Sequence, residues 1–249
     1  MSGLIRSELL KQRTTRTSGL LLMWMTGLIL LVVLLHVLSL STDHISSADG
    51  QLKVVGWGTG IAALFASLLG AMSITAEIRH GTIRPTFLAT PRRERVIAAK
   101  LTAGALTGVA VGLLAEGLTA TIEAAGLAAR GIHIQLTASD YLQLLAGGAA
   151  AGALFAAIGL GLGAILRQQV GAVVGLCVWL LLIETTLIGN IPSAGKYAPG
   201  AAAGAIAGAV QTQSASKLVA PALGVLLLAA YAAFAATAGA ILTTRRDVA

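Results

Sequence analysis

The sequence predicts an all-α integral membrane protein with six transmembrane helices. Three observations support this fold class: 56% of the 249 residues are hydrophobic, the mean hydropathy is +0.86, and only 11% of the residues are charged. A soluble domain contains about 25% charged residues. A helix that crosses a bilayer needs roughly 20 mostly apolar residues, so the chain accommodates about six crossings and leaves no segment for a folded soluble domain.

The N-terminal residues 1–18 predict an amphipathic helix that lies at the membrane interface. Leu4, Ile5 and Leu9 fall close together on a helix, and basic residues fall elsewhere around it, as in helices that rest on a bilayer. The alternative is a disordered basic leader. The remainder, residues 19–249, is predicted to be a single six-span transmembrane domain.

The six predicted spans follow from the apolar runs. The first run follows a basic N-terminus, but it is longer than the apolar core of a secretory signal and no small-residue cleavage site follows it, so we interpret it as a retained span. The predicted spans are 19–40, 54–76, 96–122, 141–166, 170–191 and 219–242.

The distribution of Lys and Arg predicts the orientation of these spans. Thirteen of the seventeen basic residues fall on the side that holds both termini, and such an excess marks the cytoplasmic side. The expected location is therefore the cell (plasma) membrane, as a multi-pass protein with both termini in the cytoplasm. The net charge of +7 is expected to be balanced by the anionic head groups of membrane lipids. We expect no nucleic acid partner, because the basic residues lack interleaved aromatic side chains.

Glycine repeats indicate close helix packing within the spans. Gly104, Gly108 and Gly112 recur every fourth residue in the third span, and Gly148 with Gly152 do so in the fourth. Small residues at this spacing let helix backbones approach closely in lipid. The pattern leaves open whether the close contacts lie within one chain or between two copies.

The outer loop between spans five and six, residues 190–217, is largely small and apolar. A solvated loop would be more polar, and its apolar stretch is too short to cross a bilayer. Non-helical backbone is tolerated at membrane depth only when protein covers it or it lines a cavity. We therefore predict one or two short re-entrant helices in the outer leaflet.

The predicted cytoplasmic loop, residues 77–100, combines six basic residues with an ordered apolar pattern. Thr82 is a favourable N-cap residue, after which Ile83, Phe87 and Leu88 fall on one side of a short helix. A loop that only sets topology would not need such an apolar stripe. The pattern favours a docking helix for a soluble partner, and the alternative is a basic loop that does nothing more than fix orientation.

This loop resembles the segment that ABC-2-type exporter permeases carry between their second and third transmembrane helices. In that family the segment forms a coupling helix that docks in a groove of the ATP-binding subunit. The amphipathic N-terminus, the six spans with cytoplasmic termini and the outer stretch 197–200 are also similar, so the resemblance covers almost the whole chain. It implies that the following residues contact the ATPase: Glu77, Gly81, Thr82, Ile83, Arg84, Phe87, Leu88, Pro91 and Arg93.

The resemblance implies a transport subunit without catalytic residues of its own. The chain contains no phosphate-binding loop of the G-x-x-x-x-G-K-[ST] type, since its Gly195-Lys196 pair is followed by Tyr197. We therefore expect no cofactor and no metal in this chain, with ATP and Mg bound by a separate ABC ATPase subunit. Two membrane halves are needed, so a second copy of this chain or a similar permease is the expected partner in a dimer.

Three ionisable residues inside the predicted spans are candidates for the translocation path or its outer gate. Glu184, Glu116 and His36 all fall in the outer half of their spans, where an ionisable group is costly to insert. We expect them to line an outward vestibule through which an amphipathic or lipophilic substrate is exported, and to pair with Lys196 or Lys217. The alternative is that Glu116 and Glu123 mark the outer interface and His36 is a hydrogen-bonded packing residue.

Two other classes of function are compatible with the sequence. An ion-coupled secondary transporter could use Glu116, Glu123 and Glu184 as proton or cation sites, and would contain broken helices at mid-depth. A mechanotransmitting membrane module could couple to an ATPase without a transported substrate.

Overall fold

The computed structural model describes residues 1–82, 92–209 and 218–245, and every regular element in these ranges is helical. Six helices are long and apolar enough to cross a membrane, which confirms the predicted all-α, six-span fold. A π-helical segment, Val178–Ile183, joins α7 to α8 to form the fifth of these helices. The elements are α1 Ser2–Thr14, α2 Arg16–Ser39, α3 Thr42–Ile45, α4 Ala48–Arg79, α5 Arg93–Ala129, α6 Ala138–Leu166, α7 Gln169–Cys177, α8 Glu184–Asn190, α9 Pro192–Gly195, α10 Pro199–Ala207 and α11 Pro221–Arg245.

The second and third spans are longer than the sequence predicted. Helix α5 has 37 residues, or about 55 Å at 1.5 Å per residue, against a hydrocarbon core of about 30 Å. Hydropathy predicts only the apolar part of such a helix, whereas the helix continues into polar residues at both ends. Local capping decides the true ends, as at Ser47, whose side chain accepts a hydrogen bond from the Gly50 amide at the start of α4.

Helices α4, α5 and α6 form the centre of the bundle, and α2, α7 and α11 pack around them. The glycine repeats lie at these central contacts. A Cβ atom added at Gly108 would lie 2.2 Å from the carbonyl oxygen of Gly152, and one at Gly112 would lie 2.1 Å from that of Gly148. The sequence left open whether the close contacts lie within one chain or between two copies. Gly108 and Gly112 make them within the chain, between α5 and α6.

Two short helices follow the fifth span, in the loop where short helices were predicted. Helix α10 is buried along its length and packs against α4, α6 and α11. Pro199 lies at its first position, where a missing N–H leaves no hydrogen bond unmade. The tertiary packing accounts for the apolar composition of the stretch, since its small side chains are covered by other helices.

Candidate functional site

A ring of four charged side chains joins α1 to the adjacent ends of α4 and α5. Lys100 donates to Glu8 Oε2 at 2.7 Å and lies 2.8 Å from Glu77 Oε1. Lys11 donates to Glu8 Oε1 at 2.7 Å and to Glu77 Oε1 at 2.8 Å. Positive and negative groups therefore alternate around the ring, and each charge has two neighbours of opposite sign.

Three of the four ring residues are buried and Lys11 is about half exposed, so pairing matters most for the buried three. Lys100 is 2% exposed, Glu8 5% and Glu77 9%, and unpaired buried charges are strongly destabilising. Burial alone would raise the pKa of Glu8, but Lys100 and Lys11 outweigh it and lower that pKa. Burial alone would lower the pKa of Lys11, but Glu77 and Glu8 raise it above its ordinary value.

Helix α1 lies along α5 beyond the ring as well. The Thr107 hydroxyl donates to the side-chain oxygen of Gln12, one turn of α1 after Glu8. Sequence reasoning identified α1 by its apolar spacing but missed Glu8. The available signal was that Glu8 is the one acidic residue in the basic stretch 1–18 and stands three residues before Lys11, a spacing that brings two side chains together on a helix.

The residues predicted to contact an ATPase are described only in part. Gly81 has a positive φ of 69°, and the Thr82 amide donates to the carbonyl oxygen of Glu77 at 3.0 Å, so the two residues close the end of α4 in the manner of a glycine C-cap. Arg93 is the first residue of α5. The remaining predicted contacts lie outside the described residues: Ile83, Arg84, Phe87, Leu88 and Pro91.

A cavity of about 500 Å³ lies at the other half of α4, between α2, α4, the fifth span and α10. Its lining residues are mainly Leu, Ile, Val, Ala and Gly. The polar or aromatic groups among the lining residues are Trp57, Thr59, Glu184 and Thr185. Its volume is within the range of about 300–1,000 Å³ that is usual for small-molecule sites.

Glu184 follows directly after the π-helical segment. Within the described stretch 178–190 it is the buried residue, at 3% exposure, and isolated π turns occur often at functional sites. Its Oε1 accepts a hydrogen bond from the Ala201 amide at 2.9 Å, in the first turn of α10. The Gly200 amide and the Trp179 side chain also interact with this carboxyl group, but its Oε2 is buried and makes no hydrogen bond of normal geometry in the described part of the chain.

Glu116 lies one layer behind the cavity wall. It is fully buried, and its Oε1 accepts a hydrogen bond at 2.8 Å from the hydroxyl of Thr59, which lines the cavity. Gly148 faces it closely, since an added Cβ atom there would lie 2.3 Å from Glu116 Cγ. Glu123, two turns further along α5, is fully buried, and neither carboxyl oxygen has a partner among the described residues.

His36 stands beside the cavity. Its ring lies 5.0 Å from the ring of Trp57, centroid to centroid, and its Nδ1 is 2.8 Å from the carbonyl oxygen of Val32. Of the three residues predicted for the translocation path, Glu184 thus lines the cavity, and Glu116 and His36 each contact a residue that does. Lys196 does not pair with Glu184, because its Nζ lies 5.0 Å above the ring of Tyr197, and Lys217 lies outside the described residues.

The fold and these sites define a multi-pass, all-helical membrane protein with a buried charge ring near one end of α4 and an apolar cavity towards the other. No model of a known protein family matches the chain, and no curated protein is significantly similar to it in sequence.

Proposed function

We propose that this chain is the transmembrane permease subunit of an ATP-driven exporter of the ABC-2 type. A separate ATPase hydrolyses ATP, and the chain pairs with a second copy of itself or a similar permease. The observation that carries the proposal is the charge ring, because it ties α1 to both ends of the segment that resembles a coupling helix. In this proposal α1 is the interfacial helix and residues 83–91 belong to the docking segment.

The ring gives Glu77 a positioning role. Its carboxylate is occupied by Lys11 and Lys100, so it holds the base of the docking segment and leaves direct contact with the ATPase to the stripe Ile83, Phe87 and Leu88. A force that the ATPase applies to that stripe is then transmitted to α1, α4 and α5 together.

Helix α4 provides a route from the ring to the cavity. It is continuous from Ala48 to Arg79, and Glu77 stands twenty residues, or about 30 Å, from Trp57 in the cavity wall. A helix without a break moves as a rigid element over such a distance, so tilting at the ring changes the width of the cavity. The apolar cavity is suited to an amphipathic or lipophilic substrate.

Copurification of an ATPase tests the proposal. The tagged chain should bring down an ATP-binding protein in stoichiometric amount, and Phe87→Asp and Leu88→Asp should each reduce its recovery by roughly tenfold or more, because a charge is placed in an apolar contact. Ile134→Asp is the matched control, since Ile134 is an exposed apolar residue between α5 and α6, on the opposite side in the predicted topology. Retention of the ATPase by both loop variants would refute the docking segment.

An ion-coupled transporter is the second candidate, and the buried carboxyl groups favour it. Glu116, Glu123 and Glu184 are each at most 3% exposed and each has an oxygen without a partner in the described residues, as expected of proton or cation sites. This candidate requires that the purified chain alone carry out gradient-driven transport in proteoliposomes. Transport that occurs only with ATP and a bound ATPase would exclude it.

A further inference from the structure

We infer that the cavity beside Glu184 binds a lipophilic cation, an apolar body with a single positive charge, and that the Glu184 carboxyl group is its counter-charge. The inference rests on the proposed function only in taking this ligand as the exported substrate, since binding itself needs no ATPase.

The cavity walls select an apolar body. The lining comes from α2, α4, the fifth span and α10, and it consists mainly of aliphatic side chains and glycine. Burial of apolar surface in such a site stabilises a bound hydrocarbon or aromatic group by about 25 cal/mol per Å². A small hydrated ion would gain nothing from these walls.

Glu184 supplies a position for one positive charge. Its Oε1 is held by the Ala201 amide, which fixes the carboxyl group, and its Oε2 has no partner among the described residues. An ionised carboxyl group buried without a counter-charge is strongly unfavourable. A cationic ligand removes that penalty, whereas an anionic ligand increases it.

Trp57 lines the same cavity, and its ring lies 5.0 Å from that of His36. A ring face attracts a cation through its quadrupole, and indole is the strongest of the natural side chains in this respect. The nearest described lysine in sequence, Lys196, is over the ring of Tyr197 and forms no ion pair with Glu184. Charge and aromatic surface therefore both favour a positive ligand.

Tetraphenylphosphonium and tetraphenylborate provide a direct test, because they have nearly the same size and apolar surface but opposite charge. We expect the purified full-length chain in neutral micelles to bind the phosphonium at least about tenfold more tightly than the borate, the ratio expected from one charged contact. Specific binding is measured as radiolabelled ligand displaced by an excess of the same unlabelled ion. Equal binding of the two ions would overturn the inference.

Glu184→Gln separates charge from shape. The Gln side chain keeps an oxygen for the Ala201 amide, so α10 stays capped, but the negative charge is removed. Phosphonium binding should fall by roughly tenfold or more, while borate binding should not fall. Glu94→Gln is the control for loss of a negative charge, since Glu94 is an exposed residue of α5 that does not line the cavity, and its phosphonium binding should equal that of the unmodified chain.

Gly60→Phe tests the location of the site independently of Glu184. Gly60 lines the cavity, and an added Cβ atom meets no atom within 4 Å, so the backbone at this position leaves room for a side chain to begin. Phosphonium binding should be lost, whereas Gly117→Phe, at an equally open position away from the cavity, should leave it unchanged. Unchanged binding in Gly60→Phe would place the ligand elsewhere.

The tests of this inference and of the proposed function can fail separately. Phosphonium binding that depends on Glu184 without any copurifying ATPase would keep the cation site and refute the exporter. A copurifying ATPase with no preference for the phosphonium over the borate would keep the exporter and refute the cation site.

Discussion

Buried charged groups are paired near one end of α4 and lack ion pairs towards the other. At the Glu77 end, two carboxylates and two ammonium groups form a closed ring in which each is paired with two of opposite sign. Towards the other end, the carboxyl groups of Glu116, Glu123 and Glu184 are buried, and no ion pair to them occurs within the described residues. The paired charges are suited to holding three helices together, whereas the unpaired ones are suited to meeting a ligand or a proton.

Removal of Lys100 should have the largest effect on stability. Lys100→Met leaves Glu8 and Glu77 buried with one ammonium group between them, and breaking a buried ion pair costs about 3–5 kcal/mol. Denaturant unfolding in micelles measures the change, with Arg95→Ala, an exposed basic residue of the same helix, as the control. Adding Glu8→Gln to Lys100→Met should recover part of the loss, because it removes one of the uncompensated charges. A variant as stable as the unmodified chain would show that the ring does not hold α1 in place.

The next largest effect should come from the glycine contacts that bring α5 and α6 together around Glu116. Gly112→Ala places a methyl group 2.1 Å from the carbonyl oxygen of Gly148, and overpacking of this kind costs about 1–3 kcal/mol. Gly117→Ala on the same helix meets nothing within 4 Å and should be neutral or slightly stabilising, since Ala favours a helix more than Gly does. Equal unfolding midpoints for the two variants would contradict the close approach.

The contribution of the charge ring to the free energy of unfolding should depend on pH in a defined direction. The folded-state pKa of Glu8 is lowered, so its contribution is present above the ordinary glutamate value of about 4.3 and is lost as the pH falls through the lowered value. The pKa of Lys11 is raised, so its contribution is present below about 10.4 and is lost only as the pH rises through the raised value.

Unfolding midpoints measured from about pH 7 down to about pH 3 should therefore fall more steeply for the unmodified chain than for Glu8→Gln. The difference between the two curves isolates Glu8 from other carboxyl groups. Parallel curves would show that Glu8 titrates alike in the folded and unfolded chain.

The smallest effect is expected at Glu123, in contrast to Lys100. Its carboxyl oxygens have no partner in the described residues, so Glu123→Leu breaks no interaction that the structure records and removes a polar group from an apolar setting. The free energy of unfolding should stay the same or rise. A loss of several kcal/mol would reveal a partner for Glu123 and weaken the contrast between the two ends of α4.

Particular residues show how far the sequence could lead. The six spans were predicted because hydropathy is a local property, and the structure has a helix at each of them. Glu77 and Lys100 bound the predicted loop 77–100, but the ion pair between Lys100 and Glu8 joins positions 92 residues apart, and no local pattern specifies such a contact. Glu184 was predicted as a candidate because it is an ionisable residue inside a span, whereas its hydrogen bond from the Ala201 amide depends on how α10 folds back.

The sequence by itself determined what each segment is: apolar runs that must be helical in a membrane, glycines spaced for close packing, and an excess of basic residues on one predicted side. The tertiary structure alone decided which groups meet. It assigned Gly108 and Gly112 to contacts within the chain, closed the ring around Lys100, and left one oxygen of Glu184 facing no partner in the described residues. The physical reason is that helix formation in lipid follows from local backbone hydrogen bonding, whereas charge pairing and cavity shape depend on distances between helices that are remote in sequence.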